Sequence, residues 1–64
     1  MKLIDYIPSL TNANVTLLYF IDNRLHNKMV KKTDIMGINK RFMDMEVNDI
    51  NICIEDDCIE IWLM

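Results

Sequence analysis

The chain has 64 residues, 52% of them hydrophobic, with a net charge of −3. A chain this short buries only about 60% of the surface that its unfolded form exposes, so it makes one thin-cored domain, and surplus apolar surface is expected to be covered by a second copy or a partner protein. An isoelectric point near 4.8 argues against direct nucleic-acid binding, which needs a basic footprint, and a single glycine, Gly37, excludes a phosphate-cradling loop.

The small net charge hides a split. Residues 1–43 hold all seven basic side chains against three acids, a balance of +4, whereas residues 44–64 hold seven acids and no base, a balance of −7. Either each half is a solvated face, or the acidic end steers the protein to a basic partner surface.

Leu3, Ile4 and Ile7 fall at helical spacing, and Pro8 predicts that this short N-terminal helix ends there, with Leu3, Ile7 and Leu10 packed on a sheet. Asp5 and Pro8 interrupt what a secretion signal would need as an unbroken apolar run. The longest apolar run, Leu17 to Ile21, is far below the roughly 20 residues that cross a bilayer. A cytoplasmic protein with reduced thiols and no membrane contact is expected.

Val15 to Ile21 is β-branched and aromatic, which predicts a strand. Both of its faces are apolar, so it is either covered twice or lies at an interface. Asp22 to Asn27 should turn the chain, and Lys28 to Lys32 should return as a lysine-rich edge strand. Thr33 or Asp34 can cap a central helix whose stripe is Ile35, Ile38 and Phe42, with Gly37 weakening it by up to about 1 kcal/mol.

The last segment alternates with period two on either side of Asp56-Asp57. A two-residue turn there pairs Ile54 with Ile59, Ile52 with Ile61 and Ile50 with Leu63, although a longer loop is also open. The predicted class is α+β: a short N-terminal helix, then two β-hairpins flanking a central helix (ββαββ), in a four-stranded antiparallel sheet of undetermined strand order.

Few residues invite a chemical role. Cys53 and Cys58 lie diagonally in that register, roughly 7–8 Å apart at Cα, which is long for a disulfide. Two thiolates and His26 fall short of the four ligands of a structural zinc site, and no cofactor motif is present. His26 has no serine, cysteine or carboxylate placed with it for catalysis, and so small a domain leaves little volume for an enclosed cleft, so no enzyme is expected. The outer face of the C-terminal hairpin remains: Asp49, Asn51, Glu55, Glu60 and Trp62, with Asp56 and Asp57 at its tip. Carboxylates around an exposed tryptophan can dock on a basic surface. Alternatively, Trp62 and Met64 pack against the N-terminal segment or a second subunit, and the acids only keep the protein dissolved.

The run from Phe42 to Val47, followed by Asp49 to Ile61, resembles in layout the short acidic proteins encoded by phages and prophages of Gram-positive bacteria. The likeness covers Val15 to Met64 and includes no diagnostic motif. It implies a non-catalytic inhibitor, often a homodimer, that blocks a host defence or DNA-repair protein by covering a basic surface with the acidic face. Two alternatives stay open. One is a homo-oligomeric phage accessory or structural protein whose oppositely charged halves meet across subunits. The other is a protein that sequesters a nucleotide signal through Lys28, Lys31 or Arg41.

Overall fold

Strand alternation decides which side chains of the two central strands form the core: Leu18, Phe20, Ile59, Ile61 and Leu63. In the computed structural model, which describes residues 1–22 and 27–64, the chain forms α1 (Leu3–Thr11), β1 (Leu17–Asp22) and β2 (Asn27–Lys31). A 3-10 segment (Lys32–Gly37) and α2 (Lys40–Met43) follow, then β3 (Val47–Cys53), a 3-10 turn (Ile54–Asp56) and β4 (Cys58–Leu63). His26 and the middle of the expected Asp22–Asn27 turn lie outside the described residues.

The class is α+β, but the sheet is mixed rather than antiparallel. The strand order is β2-β1-β4-β3, with two antiparallel hairpins joined by parallel pairing of β1 with β4. The cause is the path between the hairpins. β2 leaves the sheet where β1 begins, and β3 enters where β4 ends, so residues 32–46 must travel the length of the sheet. That traverse makes β3 run the same way as β2, and it therefore sets β4 parallel to β1. The two most apolar strands take the centre, and the lysine-bearing β2 is an edge as its composition predicts.

The traverse also replaces the expected central helix. Ile38 and Asn39 are extended, and Asn39 starts α2 afresh by accepting a 3.0 Å hydrogen bond from the Arg41 amide. No side chain caps the 3-10 segment, and Asp34 lies in its first turn. The predicted stripe survives the change, because Ile35, Ile38 and Phe42 are all buried. The helix that lies along the sheet is α1 instead. It runs through Pro8 to Thr11, since burying Leu10 in line with Leu3 and Ile7 outweighs the one hydrogen bond that proline cannot donate.

α1, the 3-10 segment Lys32–Gly37 and α2 pack on one face of the sheet, over Leu18, Phe20, Ile59, Ile61 and Leu63. The chain ends are stitched beside β3: the Leu3 amide donates to Met45 O (2.9 Å), and the Val47 amide donates to Met1 O (2.8 Å). Glu46 and Met64 exchange two backbone hydrogen bonds, and the amino terminus lies 2.8 Å from the Glu46 carboxylate. That ammonium donates to Glu46 and attracts its charge, with a smaller attraction from Lys2, so the carboxyl pKa is held below 4.5.

The C-terminal hairpin forms with a different register. Ile52 pairs with Ile59, Ile50 with Ile61 and Cys53 with Cys58, two residues away from the expected pairing. A two-residue slip keeps every side chain on its face, which is why alternation alone cannot detect it. The turn is longer than two residues: it comprises Ile54–Asp56 and then Asp57, the only non-glycine residue with positive φ (53°) among the described residues. Short polar side chains tolerate that left-handed conformation.

Candidate functional site

Pairing across the four strands arranges the second face of the sheet as a grid. One row runs Lys31, Leu17, Cys58, Cys53, the next Met29, Tyr19, Glu60, Asn51, and the third Asn27, Ile21, Trp62, Asp49. Among the described residues no helix packs here, and none of these side chains belongs to the buried core cluster. Met29 is 49% exposed and Trp62 42%, while Ile21 and Cys58 are buried. Large apolar side chains left open amid polar ones mark a contact surface in many proteins.

Four of the seven predicted site residues share this face: Asp49, Asn51, Glu60 and Trp62. Asp56 joins them from the adjoining turn, where a shallow hollow of ≈ 240 Å³ is lined by Leu17, Tyr19, Met29, Cys53, Asp56, Cys58 and Glu60. Glu55 is exposed in the same turn. Asp57 stands apart. Its Oδ1 accepts from the Thr16 amide (3.2 Å) and its carbonyl from the Leu17 amide (3.1 Å), so it ties the turn to the start of β1.

Asn51 holds Glu60 in place by donating a 2.8 Å hydrogen bond from Nδ2 to Oε1. The same Glu60 oxygen lies 3.5 Å from Cys53 Sγ, which donates to it. Burial, followed by the Glu60 hydrogen bond and nearby carboxylates, pushes the Cys53 thiol pKa above 9.0. Burial, followed by the charges of Glu60, Asp56 and Asp57, does the same to Cys58. The two cysteines sit directly opposite each other rather than diagonally, and both are free thiols. Among the described residues, no group of three or more His, Cys, Asp or Glu is placed to hold a metal ion.

The cations proposed for a nucleotide do not converge. Lys28 and Arg41 line one hollow on the helical side of the sheet, while Lys31 projects from the other side. Arg41 is also engaged, with Nη2 3.6 Å from the buried Asp22 carboxylate and its guanidinium 5.2 Å above the Phe42 ring.

Leu17, Tyr19 and Met29 lie on the same candidate face, though the sequence reading does not single them out. A signal for Leu17 and Tyr19 exists in the sequence, since β1 is apolar on both faces, but only the pairing of strands shows which face lacks a cover. No protein-family model, curated protein or solved structure matches this chain. Among the described residues, no helix is long and apolar enough to cross a membrane.

Proposed function

We propose that this chain is a non-catalytic binding protein that covers a basic surface of a host-cell protein with the open face of its sheet. It would act in the host cytoplasm, like the small acidic phage and prophage proteins that it resembles. The observation that supports this reading is the placement of Trp62 beside Asp49 and one row from Glu60, with Asp56 at the far end of the same hairpin, on strands and a turn that carry no base. The tryptophan supplies a rigid apolar anchor, and the surrounding carboxylates supply complementarity and faster encounter with a cationic partner. Asn51 restricts Glu60 to one orientation, so less side-chain freedom is lost on binding.

The test is reversal of Asp49, Glu55, Asp56 and Glu60 to lysine, leaving Asp57 to hold its turn. The wild-type chain should capture a basic protein from lysate of a Gram-positive host, and the reversed variant, with an unchanged circular-dichroism spectrum, should lose it. Equal capture by both would end the proposal.

A further inference from the structure

The open face is bipolar. Lys31 stands on its β2 edge, Asp49 on its β3 edge and Asp56 just beyond β3, while the two inner strands carry Tyr19, Ile21 and Trp62. A surface with opposite charges at opposite edges and an aromatic-aliphatic centre is complementary to itself, provided that the second copy is turned the right way. Only two simple orientations stack two such sheets face to face about a two-fold axis. An axis lying across the strands at the middle row puts each strand over its own copy with the rows reversed, so Glu60 meets Glu60 of the other copy and Lys31 meets only Asn27. An axis parallel to the strands, between β1 and β4, puts β2 over β3 and β1 over β4.

We propose that in the free protein this face is covered by a second copy of the chain, related by a two-fold axis parallel to β1 and β4. The rows then superpose. Tyr19 lies over Glu60 of the other copy, where a phenol can donate to a carboxylate, and Ile21 lies over Trp62. Lys31 at one edge meets Asp56 at the other, and symmetry makes each contact twice. The tilt of about 30° between stacked, twisted sheets rotates the corners but keeps the central rows together.

The size of the face sets the strength of this pairing. Four strands about 4.8 Å apart and five residues at about 3.3 Å each cover roughly 300 Å² in projection. A standard stable interface takes about 800 Å² from each partner. The dimer is therefore weak and exchangeable, and a tighter basic partner displaces the second copy from the face. This inference rests on the same reading of the open face as a contact surface, and it adds that self-association and target capture exclude each other.

The test uses the chain alone, so its failure is distinct from a failure to find a target. Sedimentation velocity over a concentration series should show a monomer–dimer equilibrium. The dimer should weaken when ionic strength rises from about 0.1 M to about 1 M, which shortens the screening length from about 10 Å to about 3 Å. Lys31→Glu and Asp56→Lys should each weaken the dimer about tenfold, and an equimolar mixture of the two variants should recover it, because each contact in the mixed dimer again joins opposite charges. A wild-type chain that stays monomeric at about 1 mM, a concentration at which interfaces of only about 4 kcal/mol still associate, overturns the proposal. So does a mixture no more dimeric than its components, and both variants keeping wild-type circular dichroism makes that outcome decisive.

Discussion

The two faces of one sheet are built from the same strands and are opposite in character. On the helical side, β1 and β4 present Leu18, Phe20, Ile59, Ile61 and Leu63, all at or below 5% exposure beneath α1, the 3-10 segment and α2. On the other side the same strands present Leu17, Tyr19, Ile21, Cys58, Glu60 and Trp62, and no described helix covers them. The contrast teaches that hydrophobicity in this chain serves two purposes. One face holds the fold together, and the other leaves Met29 and Trp62 open to solvent. The division is not perfect, because Ile52 lies on the helical side, paired with Ile59 on the edge strand β3, but is 61% exposed.

The largest expected effect breaks the contrast directly. Phe20→Ala should cost about 3–5 kcal/mol, because it opens a cavity next to Phe42 in the core. That is much of the stability that a domain of this length has, at about 0.05–0.15 kcal/mol per residue. Met29→Ala, one strand away on the open face, should stay within about 0.5 kcal/mol. Urea unfolding midpoints of the two variants decide whether the faces differ as described. Trp62→Ala sharpens the comparison. The ring is 42% exposed, so its removal should cost about 1–2 kcal/mol in urea while removing capture of the partner.

The thiols probe the open face without changing it. A thiolate is the form that alkylates, and both pKa values are raised, so Cys53 and Cys58 should react with iodoacetamide at pH 8 several-fold more slowly than in the denatured chain. Cys58, the more buried, should be the slower. A raised folded-state pKa also means that the thiols favour the folded state below the ordinary thiol value of 9.0, and this contribution is lost as pH climbs through the raised values. The smallest effect is at the chain ends. The Glu46 pKa is lowered, so its contribution is present above 4.5 and lost as pH falls through the lowered value. Glu46→Gln should be slightly less stable than wild type at pH 7, and the difference should vanish in an acid titration followed by circular dichroism.

Alternation and composition already contain much of this molecule. The α+β class, the lysine-bearing edge, the buried stripe of Ile35, Ile38 and Phe42, and the shared face of Asp49, Asn51, Glu60 and Trp62 all follow from local spacing. These are properties of neighbours along the chain, where a period of two or of 3.6 residues decides what lies together. Long-range partners decided the rest. The parallel junction of β1 with β4 comes from the path of residues 32–46. The continuation of α1 through Pro8 comes from a pocket waiting for Leu10. The two-residue slip of the hairpin comes from the left-handed turn at Asp57, which is tied to Thr16 and Leu17 some forty positions away. Tyr19 and Met29 joined the candidate face only because strand order placed them beside Glu60 and Asn51. Spacing along a chain can say that two faces exist, but which of them is covered depends on where the remaining segments find room to pack.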